Sequence, residues 1–109
     1  MNRLLLLILL CLTAPLSGQI TWTEHTIAAN FDGAIWAHAL DMDNDNDIDV
    51  LGAAWEADAI AWWENDGAQN FTEHAIADSF DGACCVFGID LDQDNDGDVI
   101  AAAYFDNTV

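Results

Sequence analysis

After residue 18 the chain alternates short apolar runs with polar, turn-forming clusters. Residues 20–27 interleave Thr, Trp and Ile with polar side chains, and residues 34–40 are apolar and run straight into a string of aspartates. Residues 50–55 are apolar and small, and residues 59–63 are apolar and aromatic. Each run has the length and content of a strand, because β-branched and aromatic side chains suit a pleated, half-buried surface. Asn65-Asp66-Gly67 is a tight-turn signal, and residues 71–76 resume the first strand type. No segment keeps a 3.6-residue apolar period, which disfavours helix.

These elements come in two sets. Thr23-Glu24-His25-Thr26-Ile27 returns as Thr72-Glu73-His74-Ala75-Ile76, and Phe31-Asp32-Gly33-Ala34 as Phe80-Asp81-Gly82-Ala83. The same displacement of 49 residues carries Asp41 onto Asp90, Val50 onto Val99 and Ala53-Ala54 onto Ala102-Ala103, with no gap from Trp22/Phe71 to Ile60/Val109. A period near fifty suits a four-stranded propeller blade better than a helical repeat. The expected fold is therefore all-β, a partial β-propeller of about two four-stranded antiparallel blades. Residues 19–69 form the first repeat and residues 70–109 a truncated second one, lacking the counterpart of residues 61–70. Units that bury their faces against neighbours need roughly three or more repeats, so the two are expected to belong to a longer array, with completion by association as the alternative.

Residues 1–18 read differently. Met1-Asn2-Arg3 is followed by an almost unbroken apolar run over residues 4–12 and a small, turn-prone stretch to Gly18. This is the layout of a secretory signal peptide, and the run of about nine residues is half what a bilayer span needs. Cleavage near Gly18, a secreted product and no membrane span in the mature form are the expectations. Export removes Arg3, the only Lys or Arg, and takes the formal charge from −19 to −20. A chain so acidic repels phosphate backbones, which excludes nucleic acid as a partner. It also repels itself unless cations offset the charge, and its 53% hydrophobic content with five tryptophans argues against disorder.

Half of the twenty acids sit in two nine-residue windows: Asp41, Asp43, Asp45, Asp47 and Asp49, and again Asp90, Asp92, Asp94, Asp96 and Asp98. Calcium takes about six to eight oxygen ligands at roughly 2.3–2.6 Å, and a short loop can wrap it by turning alternate residues inward. Positions one, three, five and nine would supply carboxylates, and position seven its carbonyl. An EF-hand would need a glutamate at the twelfth position between helices; Gly52 and Ala101 stand there. Magnesium, which keeps its water and octahedral geometry, fits poorly. A solvated acidic turn without an ion is the alternative, and two such runs in register within a repeat weigh against it. Two Ca²⁺ sites are expected.

The aspartate loops, the Asp49-Val50-Leu51-Gly52-Ala53-Ala54 exit, and the stretch from Ile60 through Trp62-Trp63-Glu64-Asn65-Asp66-Gly67 to Asn70-Phe71-Thr72-Glu73-His74 together resemble FG-GAP/VCBS repeats. The resemblance spans about residues 20–109. It implies calcium-bearing blades of the integrin-α type, with the ion in the hairpin between the first two strands. On that pattern Asp41, Asp43, Asp45 and Asp49 match side-chain ligands and Asp47 a carbonyl ligand, with Asp90, Asp92, Asp94, Asp98 and Asp96 in the same roles. The family's sixth-position glycine is here Asn46 and Asn95, residues that tolerate left-handed geometry. Ile48 is expected to anchor the first loop on the core, and Gly97 in its place to leave the second looser.

Other candidates have simpler readings. His25 and His74 are repeat-equivalent and expected on the same strand of each blade, while His38 matches Phe87. Glu56, Asp58 and Glu64 read as surface charges rather than a glycosidase pair, and nothing resembles a Ser-His-acid triad. Trp22, Trp36 and Trp55 invite a sugar-binding reading, but Trp22 and Trp55, whose equivalents are Phe71 and Tyr104, read as blade-packing aromatics. Trp62 and Trp63 should face opposite ways, the outward one being the best candidate for stacking on a sugar. Cys84 and Cys85 should likewise point to opposite faces as separate buried residues, with a vicinal disulfide or pairing to another chain as alternatives. The expected function is a secreted, non-catalytic calcium-binding scaffold with an extracellular protein or glycan ligand. A lectin-like carbohydrate binder, or the non-catalytic segment of a larger secreted enzyme, is the alternative.

Overall fold

The computed structural model describes residues 18–109; the expected signal segment lies outside them except for Gly18. Among the described residues there are six strands and no helix. They are β1 (Ala34–Leu40), β2 (Asp49–Ala54), β3 (Ala59–Asn65), β4 (Phe71–Ala77), β5 (Ala83–Ile89) and β6 (Asp98–Ala103). The first four form one antiparallel sheet in the order β1-β2-β3-β4, and β5 pairs with β6 in a second. This is the all-β architecture expected, as one four-stranded blade and the inner pair of another.

The four-stranded sheet draws its last strand from residues 71–77, so sheet and sequence repeat are out of phase. This corrects one expectation. Residues 20–27 are not a strand, although their repeat-equivalents form β4. The reason is a partner: β4 pairs with β3, and among the described residues no strand lies beside residues 20–27. Isolated strands leave their backbone groups to water, and pairing is what fixes them. His74 therefore sits on β4 while His25 lies outside any strand.

β2 is the centre of the first sheet. Its odd-numbered residues Leu51 and Ala53, both fully buried, join Ile60 from β3 and Ala83 and Val86 from β5 in the core between the two sheets. Leu40, Trp62, Phe80, Val99 and Ala101 pack around it. Its even-numbered residues Val50 and Gly52 face away and line a separate cavity with Phe31 and Trp63. Apolar small residues on both faces of one strand are what a strand buried on both sides requires. The sheets approach closely at Gly88, where an added Cβ would lie 2.5 Å from Leu40 Cδ1 and 2.8 Å from Leu51 Cδ1.

Of the aromatics expected to pack blades, Trp55 does so across this joint while Trp22 is 87% exposed; Trp55 and His38 each meet their own repeat-equivalent there. His38 stacks on Phe87 with centroids 4.1 Å apart, and its Nδ1 accepts the Gly88 N–H at 2.9 Å. Trp55 packs against Tyr104 at 5.6 Å and Phe105 at 5.2 Å. A β-bulge opens both inner strands at the same repeat position, between Ala34 and Trp36 in β1 and between Ala83 and Cys85 in β5. Cys84 and Cys85 are free, half-buried thiols, with Cys84 Sγ 3.2 Å from the Ala102 carbonyl. Burial pushes the Cys84 thiol up, and the neighbouring Cys85 adds to it.

Removing Leu51 should therefore open the joint while its equivalent Ile100, which is 38% exposed, should matter little. Denaturant unfolding is expected to show Leu51→Ala losing about 2–5 kcal/mol, as for other buried leucines, with Ile100→Ala well below that range.

Candidate functional site

The two aspartate runs occupy the β1–β2 and β5–β6 connections, and the last aspartate of each run opens the following strand. Each loop curls around its own carboxylates. Asp41 accepts the Asp45 N–H at 3.1 Å and the Asn46 N–H at 3.0 Å, Asp43 accepts Asp45 N–H at 3.2 Å, and Asp45 accepts Asp47 N–H at 2.8 Å. In the second loop Asp90 accepts Asn95 N–H, Asp92 accepts Asp94 N–H and Asp94 accepts Asp96 N–H, at 3.1, 3.2 and 2.9 Å. The curl requires left-handed backbone at Asn46 (φ 76°) and Asn95 (φ 74°), the positions where the sequence substitutes Asn for Gly. It also requires it at Asn44 (φ 62°) and Gln93 (φ 66°), which sequence reasoning missed because Gln carries no such signal.

This brings three carboxylates of each run together. Asp41, Asp43 and Asp49 each offer an oxygen within 4.8 Å of the others, and Asp90, Asp92 and Asp98 do the same. Two oxygens on one calcium ion at roughly 2.4 Å can be no more than about 4.8 Å apart, so the spacing and the all-oxygen donor set fit a hard divalent cation. Asp45, Asp47, Asp94 and Asp96 are outside these groups. Asp47 turns toward the β3–β4 turn, where its Oδ2 would lie 2.5 Å from a Cβ added at Gly67. The Asp43 carboxyl is raised from its ordinary value, chiefly by partial desolvation. The charges of Asp45, Asp49 and Glu64 add to this, and the Asp45 N–H opposes it. A cation among these oxygens reverses the sign of the charge effects.

Asp49 is the one buried charged residue among the described residues, at 0% exposure. Its Oδ2 accepts the Met42 N–H at 2.9 Å and its Oδ1 the Asn65 N–H at 2.8 Å. Asn65 returns the tie, its side-chain amide donating to the Ile48 carbonyl at 3.0 Å. Asn65 Oδ1 also accepts Gly67 N–H and Gln69 N–H in the β3–β4 turn. There Asp66 is held below the usual range first by the Asn70 side-chain amide, then by the N–H groups of Ala68 and Asn70. The loop is thus anchored by Asp49 and Asn65. Ile48 does not anchor it: that side chain is 54% exposed, because strand alternation beside the inward Asp49 turns it outward. Asp98 is half-buried and accepts Leu91 N–H at 2.9 Å, the counterpart of the Met42 bond. The two loops touch. The Asn44 amide donates to the Asn95 carbonyl, and Gly97 lies against Met42, where an added Cβ would be 2.6 Å from the Met42 carbonyl oxygen.

The remaining candidates settle into packing. His74 stacks on Trp62 at 4.5 Å and its Nε2 lies 2.7 Å from Glu64 Oε2. Trp63 is 4% exposed, packed edge-on with Phe31 and donating to Glu73 at 3.3 Å. Trp62 is half-buried against the inter-sheet core. Neither member of the pair offers an open face to a sugar, because both faces of the sheet are occupied there. Asp58 is not a plain surface charge: its carbonyl accepts Phe80 N–H at 2.8 Å and its Oδ1 accepts Gly82 N–H at 2.9 Å, tying the first sheet to the second. Glu56 is exposed.

The fold and loops define a repeat protein of β-blades, each with an acidic hairpin at the same place. A model of the FG-GAP-like repeat matches residues 41–101, more than half of the chain, and the chain belongs to that family. No curated protein and no solved structure matches it.

Asp49→Ala would leave two part-buried N–H groups, of Met42 and Asn65, without an acceptor. The expected cost in denaturant unfolding without added metal is about 2–6 kcal/mol, taking roughly 1–3 for each orphaned donor. Asp98→Ala should cost less, since that carboxylate is half-exposed and holds one N–H.

Proposed function

We propose that this chain is a secreted, calcium-binding repeat module that works as an extracellular binding or adhesion scaffold. The observation that carries the reading is the convergence of three carboxylates in each of two loops at the spacing one ion needs. Asp41, Asp43 and Asp49 supply side-chain oxygens in the first loop and Asp90, Asp92 and Asp98 in the second. Asp45 and Asp94 complete the carboxylate set when the ion draws them in, and Asp47 and Asp96 contribute carbonyls. Bound calcium supplies positive charge and fixes ligand directions; the chain's own part is to pre-curl the loop through the Asp45, Asn46 and Asp47 N–H groups. FG-GAP-like repeats are typically non-catalytic scaffolds, and the role of the ion here is to hold the hairpins so that blades can pack. Export is supported by the signal-like residues 1–18, and calcium is abundant where the product would arrive. The ligand is an extracellular protein or glycan met by loops of the assembled blades.

Calorimetric titration of residues 19–109, which contain all six strands of the described residues, should give two calcium ions per chain and much weaker heats with magnesium. At a hundredfold excess over Kd each site stabilises the fold by about 2.7 kcal/mol, a rise in melting temperature of about 10–20 °C for a domain of this size. Absence of heat together with an unchanged melt would defeat the reading. Replacing Asp41 and Asp43 by Asn should halve the stoichiometry and leave the second site filled.

A further inference from the structure

The two cysteines of β5 meet where that strand carries its bulge. In the β5–β6 ladder Ala83 pairs with Ala103 and Cys85 with Ala102, so Cys84 is an extra residue and both cysteines oppose Ala102. Burial gives the same result independently. Ala83, Val86 and Gly88 are buried, while Phe87 and Ile89 are exposed. An unbroken strand that buries Ala83 would also bury Cys85 and Phe87 and put Cys84 on the other face. Instead the alternation changes phase across Cys84-Cys85, and both are half-buried. The bulge thus turns both side chains to one side of the sheet, where the sequence pattern expects opposite faces.

Blade packing does not reserve this position for thiols. Its equivalents at the β1 bulge are Ile35 and Trp36. β1 packs on the second sheet through His38 and Leu40, and still Ile35 and Trp36 are 50% and 48% exposed. A sheet beside the strand therefore leaves the position open to solvent.

We propose that Cys84 and Cys85 are a reversible oxidation site, closing into a disulfide between neighbouring residues when they meet an external disulfide. Thiol–disulfide exchange balances the step. The Cys85 thiolate attacks one sulfur of the oxidant's disulfide, and the other sulfur leaves as a thiolate. Cys84 then loses its proton and attacks Cys85 Sγ in the mixed disulfide, releasing the oxidant's second thiolate. The pair gives up two electrons and two protons, and the oxidant ends as two thiols. Cys85 reacts first because the Cys84 S–H donates to the Ala102 carbonyl at 3.2 Å. Burial also pushes the Cys84 thiol up, which leaves less of it as the attacking thiolate. Secretion, as proposed above, supplies the oxidant, and the calcium loops play no part. Once closed, the pair has no thiol left to cross-link one chain to another.

Equilibration of the full chain in mixtures of reduced and oxidised glutathione tests this, with the oxidant added directly. After acid quenching and alkylation, cleavage at Asp81 and Asp90 isolates residues 82–90 with both thiols, apart from Cys11. As the mixture becomes oxidising, that peptide should pass from doubly alkylated to unalkylated and lighter by two hydrogens. Dithiothreitol should restore the double alkylation. In Cys84→Ser the peptide should stop at a glutathione mixed disulfide on Cys85, because nothing remains to displace it. The folded chain should close at a less oxidising ratio than the same chain in urea, since the bulge holds the thiols together before they react. Both thiols surviving the most oxidising mixture would overturn the proposal. So would a peptide carrying two glutathiones, a bond to Cys11 or to another copy, or closure no easier folded than in urea.

Discussion

A carboxylate with no water around it holds the acidic tip of the first blade together. Asp49 accepts one N–H from the start of its own loop, at Met42, and one from the end of β3, at Asn65. Those two bonds tie the β1–β2 connection to the β3–β4 turn, and they fix where the other carboxylates of the run can lie. A charge buried this way persists only with such partners. Once Asp49 is fixed, Asp41 and Asp43 are brought to it by the curl of a loop whose N–H groups point at its own side chains. Half of the chain's acidic residues are thus gathered into two loops, where a divalent cation in each would offset two charges of five, leaving the sheets free to be apolar.

The apolar sheets carry the second constraint. A blade whose central strand is Val-Leu-Gly-Ala-Ala has to be covered on both faces: the second sheet covers one, and Phe31 and Trp63 lie over Gly52 on the other. The repeat makes this visible without any partner present, because equivalent residues differ in exposure only by whether a neighbour happens to lie beside them. The packing of Trp55 on Tyr104 and His38 on Phe87 belongs to the same logic: positions that are equivalent along the chain become neighbours across the joint.

Much of this was legible in the sequence. Four of the strand segments, the turn at Asn65-Asp66-Gly67 and the two aspartate loops are marked by local composition, and local composition is what strand pairing and loop curl use. The alternating aspartates mark where carboxylates gather, but not which ones meet: Asp45 and Asp47 alternate with the rest and lie outside the group of Asp41, Asp43 and Asp49. Residues 20–27 misled because strand propensity says nothing about whether an edge is present to pair with. Ile48 misled for a related reason: its apolar character was read as a destination, when its neighbour Asp49 had already claimed the inward direction. Asp58 reads as a surface charge and Asn65 as a turn residue in the sequence because their further work is done through bonds to backbone groups distant in sequence, Gly82 and Phe80 for one, Ile48 for the other. Trp62 and Trp63 obey alternation, yet alternation promised an outward face only if one side of the sheet were bare.

The paired bulges have a consequence for shape. An extra residue in one strand bends it and adds right-handed twist, and here the insertion recurs at the same point of both inner strands, near Ile35 and near Cys84. Because the bend is written into the period, every further unit would be turned by the same increment relative to the last. The extra twist thus recurs with the 49-residue period, entering each blade at the start of its first strand.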